Sequence, residues 1–129
     1  MLIRRGLHAA GFRFRLHQRQ LPGRPDLVLP RYRTVIFVNG CFWHSHGCHI
    51  SRLPDTRREY WQPKLDRTLQ RDRDAVHALQ SAGWRIAVVW ECALRGRVRL
   101  AEDVALARIS DFIRTGTGTL LNIAGAPAA

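Results

Sequence analysis

The apolar run Val35-Ile36-Phe37-Val38 leads, through Asn39 and Gly40, straight into Cys41-Phe42-Trp43-His44-Ser45-His46-Gly47-Cys48. Four β-branched or aromatic residues in succession read as a buried strand. The eight residues from Cys41 to Cys48 then concentrate two thiols, two imidazoles and two large rings. A strand that ends in metal-ligand chemistry constrains the fold more than any other feature of this chain. Cys92, the third and last cysteine, closes a second β-like run, Ile86-Ala87-Val88-Val89-Trp90. Two strand ends can therefore converge on one metal ion.

Around these runs the sequence predicts a helix over 2–10 stopped by Gly11, and a strand over 12–16. Leu21-Pro22-Gly23-Arg24-Pro25-Asp26 excludes helix and reads as a turn. Leu27-Val28-Leu29 and the run from Thr34 to Val38 are strands joined by a tight turn at Pro30-Arg31-Tyr32. Trp61, Leu65, Leu69, Asp72, Val76 and Leu79 recur at steps of three and four, which predicts a helix over 59–82 ended by Gly83. A buried strand over 84–91 and a closing helix over 98–114 follow. Helices alternating with hydrophobic strands give a three-layer α/β domain. The expected organisation is one domain over 1–114 and a flexible tail over 115–129.

The charge balance points to a polyanion. Lys and Arg number 21 against 10 Asp and Glu, a formal +11, and Lys64 is the only lysine. The planar guanidinium fork suits phosphates and guanine edges, so nucleic acid is the expected partner. No apolar run approaches the roughly 20 residues of a bilayer span, and the first residues lack the pattern of a signal peptide. Three cysteines are an odd count for a disulfide scaffold, so a cytoplasmic protein holding a metal through thiolates is expected.

Structural zinc takes four tetrahedral nitrogen or sulfur ligands. Cys41, His46, Cys48 and Cys92 supply such a set, with His44 and His49 as alternatives for the histidine. Asp26 lies where a turn enters one strand, near the far end of the neighbouring strand. Metal-dependent phosphodiester cleavage needs a carboxylate at such a place to hold Mg²⁺. Pro25-Asp26 is also ordinary turn chemistry. His44 is the natural proton carrier, since imidazole changes charge near neutral pH.

Taken in order, several segments resemble the very short patch repair (Vsr) DNA mismatch endonucleases. They are Leu21 to Asp26, Val35 to His44, His46 with Cys48, Glu59-Tyr60-Trp61, Arg71-Asp72-Arg73, Gly83-Trp84-Arg85, and Val89 to Gly96. The resemblance implies a restriction-endonuclease-like core with a mixed central sheet and an added structural zinc site. It implies a bacterial monomer of the cytoplasm and nucleoid, nicking duplex DNA 5′ to the thymine of a T:G mismatch, alongside mismatch-repair proteins and with no membrane partner. Carried over by position, Asp26 is the catalytic Mg²⁺ ligand, the Val38 backbone carbonyl a second ligand, and His44 the proton-transfer group. Cys41, His46, Cys48 and Cys92 are the zinc set, and Phe42, Trp43 and Trp61 the aromatic wedge that enters the DNA stack beside the mismatch. Trp84 and Trp90 are expected to serve as core instead. Arg24, Arg52, Arg57 and Arg95 are candidates to reach base edges.

Two departures accompany the resemblance. Asn39 stands where relatives can carry histidine; it can donate a hydrogen bond but not shuttle a proton. The family's N-terminal glutamate and the arm ahead of it would fall before Met1, so a shortened, weaker enzyme is expected. The alternatives are a zinc-stabilised DNA-binding module that has lost cleavage, and a basic RNA-binding or scaffold protein.

Overall fold

The computed structural model describes residues 2–41 and 57–125. A five-stranded sheet in the order β1-β2-β3-β4-β5 forms its centre. The strands are β1 (Arg15–Leu16), β2 (Leu27–Leu29), β3 (Thr34–Asn39), β4 (Arg85–Trp90) and β5 (Leu120–Ile123). β1, β2 and β3 pair antiparallel, whereas β3, β4 and β5 run parallel. The sheet is therefore mixed, as expected. The helices are α1 (Leu2–Ala9), α2 (Arg58–Ser81), the short α3 (Glu91–Leu94) and α4 (Glu102–Thr115).

Strand alternation divides the apolar residues between two cores. On one face Leu27, Leu29, Ile36, Ala87, Val89 and Ile123 pack under α1 and α4, through Ile3, Leu7, Ile109 and Ile113. On the other, Val28, Val35, Ile86 and Val88 pack against Leu79 and Val76 of α2. Because both faces are covered, β4 is apolar at nearly every position, the pattern of a buried parallel strand. The result is the three-layer α/β architecture that the sequence predicts. No helix among the described residues is long and apolar enough to cross a membrane.

α2 ends in a motif readable from sequence. Gly83 takes φ +88°, its N–H donates to the Gln80 carbonyl at 3.0 Å, and Trp84 N–H donates to the Leu79 carbonyl at 2.9 Å. These are the two bonds of a Schellman C-cap. The guanidinium of Arg33 then lies 4.5 Å from the Trp84 ring centre and donates to the Ala82 carbonyl at 2.7 Å. Trp84 and Trp90 both pack against the α2-side core while remaining partly exposed.

Three elements differ from expectation. The strand over 12–16 shortens to Arg15–Leu16. Continuing the register Arg15↔Val28 would set Arg13 against Pro30, which has no N–H to give, and Phe12 is drawn into the α1–α4 core instead. The closing helix starts at Glu102 rather than 98: Ala101 is extended (ψ 144°), and the Leu100 N–H bonds back to the Ala93 carbonyl at 2.9 Å. Residues 115–129, expected as a tail, contain β5, whose Leu121 and Ile123 reach the α1–α4 core. Arg85 fastens the turn leading into β5: Nε donates to the Gly118 carbonyl at 2.8 Å and Nη2 to that of Thr117 at 2.6 Å. Desolvation lowers the pKa of this guanidinium from its ordinary value.

Candidate active site

The turn before β2 is built to deliver a carboxylate. Gly23 takes φ +74° and Arg24 φ +49°, with Arg24 N–H closing onto the Leu21 carbonyl at 3.1 Å. A Cβ at position 23 would lie 2.8 Å from Ala75 Cβ of α2 and 3.1 Å from the Phe37 ring. Glycine thus serves both the backbone angle and the close approach to α2. Pro25 is buried and fixes the entry into the strand. Asp26 follows, half-buried, with its Oδ2 accepting the Val38 N–H at 2.6 Å. Its own carbonyl accepts the His17 N–H at 3.2 Å. The carboxylate is therefore fixed to β3 at the residue whose carbonyl the resemblance nominates as second metal ligand.

Asp26 and Asn39 open on one cavity of about 550 Å³ between the sheet and α2. Arg24 lies on its rim side, and α2 contributes Asp72, Arg73 and His77. Asp72, Arg73 and His77 received no role from sequence. A signal was present for Asp72, a carboxylate in register with Leu65, Leu69, Val76 and Leu79 on the apolar face of α2. Trp90 and Asn122 also line this cavity, joined by Trp90 Nε1–H donating to Asn122 Oδ1 at 3.2 Å. Asn122 was hidden because β5 was not expected.

The second site lies where β3 and β4 end together. Asn39 pairs with Trp90, so Cys41 and Cys92 meet although 51 residues separate them. Both are buried. The Cys92 N–H donates to Cys41 Sγ at 3.4 Å, and the Gly125 N–H donates to Cys92 Sγ at 3.2 Å. Glu91 ties the same corner: its Oε1 accepts the Cys41 N–H at 3.2 Å, while Oε2 pairs with Arg95 Nε at 2.7 Å.

Residues 1–50 match the family model described as DNA mismatch endonuclease Vsr. Over 107 residues the chain is 46% identical to the DNA mismatch endonuclease Vsr of Escherichia coli, spanning 83% of this chain and 69% of that protein. It is 53% identical over 92 residues to the type II nicking enzyme V.XorIIP of Xanthomonas oryzae pv. oryzae, spanning 71% and 68%. It is 36% identical over 97 residues to the type II nicking enzyme V.NmeAIP of Neisseria meningitidis, spanning 75% and 69%. The chain belongs to the Vsr family.

Within this Vsr-family chain the donor sets can be tested against the metals they are expected to hold. Asp26 offers hard oxygen chemistry that suits Mg²⁺. One carboxylate oxygen is engaged by Val38 N–H, and among the described residues Oδ1 has no hydrogen-bond partner. For zinc, Cys41 and Cys92 bring two buried sulfurs, each accepting a backbone N–H, to one corner, and sulfur is the donor that structural zinc takes. Both sets fit as far as they are described. Among the described residues no three His, Cys, Asp or Glu side chains gather into a complete metal site. His44, His46, Cys48 and His49 lie outside the described residues, as do Phe42, Trp43 and Arg52. Trp61 lies near the start of α2, partly buried and edge-on to Tyr60 at 5.1 Å.

Proposed function

We propose that this Vsr-family DNA endonuclease nicks one strand of duplex DNA 5′ to the thymine of a T:G mismatch, using Mg²⁺ held at Asp26. The observation that carries the reading is the Asp26 carboxylate, fixed by Val38 N–H at the mouth of a cavity shared with Asn39. The excess of arginine supports DNA as the substrate.

In this reading Asp26 and the Val38 carbonyl hold Mg²⁺. When bound, that ion supplies Lewis acidity against the scissile phosphate and offsets the charge that builds in the transition state. His44 takes the proton from the attacking water, a transfer suited to a group that titrates near neutral pH. Asn39 donates a hydrogen bond beside Asp26 and orients the phosphate without exchanging a proton. Phe42, Trp43 and Trp61 enter the stack beside the mismatch. A wobble pair is poorly stacked, so opening that step costs less there than at a matched pair. Base–aromatic stacking returns about 1–3 kcal/mol per base. Cys41, His46, Cys48 and Cys92 hold a structural zinc that fixes the wedge loop to the ends of β3 and β4. Arg24, on the turn that delivers Asp26, contacts the DNA beside the scissile phosphate.

The test is a nicking assay on T:G, A:T and C:G duplexes of otherwise identical sequence, with and without Mg²⁺, with the cut mapped to the nucleotide. Mg²⁺-dependent cutting confined to the T:G strand, 5′ of its thymine, is the expected result. Equal cutting of all three duplexes would remove the mismatch reading. Tight T:G binding with no cutting would leave a DNA-binding module.

A further inference from the structure

Residues 1–25 contain Arg4, Arg5, Arg13, Arg15, Arg19 and Arg24, together with two histidines, and no Asp or Glu. The zinc corner and the metal carboxylate leave most of this charge without a role. Arg4, half-buried on α1, donates from Nη2 to His17 Nε2 at 3.1 Å. A guanidinium has only donors, so the ring accepts at Nε2 and carries its proton on Nδ1. The Arg4 Nε–H is buried and has no acceptor among the described residues. Arg4 also lines a shallow recess on α1 with Arg5, His8 and Phe14.

His17 connects this recess to the active site. Its backbone sits at φ +47°, a left-handed conformation that non-glycine residues adopt at a cost and that surrounding structure must hold. Here the hold includes its N–H bond to the Asp26 carbonyl at 3.2 Å. Two hydrogen bonds therefore link Arg4 to His17 and His17 to the backbone carbonyl of Asp26, the residue that carries the carboxylate.

We propose that Arg4 and His17, with Arg5 beside them, bind a backbone phosphate of the same duplex whose scissile phosphate lies at Asp26. The inference rests on the DNA-cleaving reading above and adds to it a contact surface on α1 and β1. Phosphate contacts set register and affinity without reading sequence. Each contact releases counterions, so its loss flattens the salt dependence of binding by about 0.9 in log Kd against log salt.

The experiment measures Kd for labelled T:G and matched duplexes by anisotropy in Mg²⁺-free buffer over a range of salt. It uses the wild-type chain, Arg4→Ala, Arg4→Lys, Arg5→Ala and Arg108→Ala. Arg108 lies exposed on α4, an element with no residue in the proposed DNA contacts. Arg4→Ala is expected to flatten the slope by about 0.9 and to weaken both duplexes by the same factor. Arg4→Lys is expected to recover most of the slope, and Arg108→Ala to keep the wild-type slope. Wild-type slopes in both Arg4→Ala and Arg5→Ala overturn the proposal, and so does an equal loss in Arg108→Ala, which would make the effect one of net charge. Should Arg4→Ala fail to fold, the exposed Arg5→Ala decides alone by the same criterion. A wild-type chain that nicks T:G DNA while the Arg4 and Arg5 variants keep full slopes sinks only this inference. A wild-type chain that neither binds nor nicks DNA sinks the functional reading with it.

Discussion

Val38 N–H donates to the Asp26 carboxylate at 2.6 Å, joining the start of β2 to the far half of β3. The bond needs an oxygen acceptor at that place but not a negative charge. Asp26→Asn can keep it through its amide oxygen, so the melting temperature is expected to stay within a few degrees of wild type. A change of about 1 kcal/mol or less corresponds to such a shift. Thermal unfolding followed by circular dichroism checks this. A fall well beyond that would mean the charge itself holds the two strands together.

Gly23→Ala is expected to destabilise by about 1–3 kcal/mol, from the strained φ together with the collision against Ala75 and Phe37. Urea unfolding measures the loss. The same variant moves the turn that presents Asp26, so nicking should fall even at temperatures where the protein stays folded.

The chain entering β2 and the C-cap of α2 were legible because each has a local chemical signature. Leu21-Pro22-Gly23-Arg24-Pro25-Asp26 admits few conformations, and Gly83 ends a strong helical period. β5 was not legible. Leu120–Ile123 offers four residues between a Gly/Thr stretch and an Ala/Pro stretch, and only its partner β4 makes it a strand. The failed strand at 12–14 has the opposite cause: its alternation is good, but its would-be partner is a proline. At the candidate site, the place of Asp26 and the Cys41–Cys92 convergence followed from strand ends, whereas Asn39 was singled out only by the family resemblance. Arg73 and His77 reach the cavity only through the placement of α2, which no local pattern encodes, while Asp72 alone carried a signal, its place in the apolar period of that helix.

Cys92→Ser is expected to lower bound zinc well below one equivalent and to reduce stability, since a structural zinc contributes folding free energy directly. Zinc content by atomic absorption and the melting temperature both report it. Full zinc occupancy in Cys92→Ser would remove Cys92 from the ligand set.

Gly125→Ala tests the support of that site without touching a proposed ligand. A Cβ there would come within 2.6 Å of the Cys92 carbonyl and 2.7 Å of the Val98 carbonyl, displacing the N–H that bonds Cys92 Sγ. Loss of an outer hydrogen bond of this kind costs about 10–100-fold in metal affinity. Competition with a chromophoric chelator should show the zinc affinity fall by that order.

Single-turnover nicking of a T:G duplex in Mg²⁺, comparing wild type with Asp26→Ala, tests the central claim most directly. Nicked product from the wild-type protein and none above background from Asp26→Ala is the predicted result. Cutting by Asp26→Ala at the wild-type rate would contradict it, because no carboxylate would then remain on the strand edge that Val38 N–H organises.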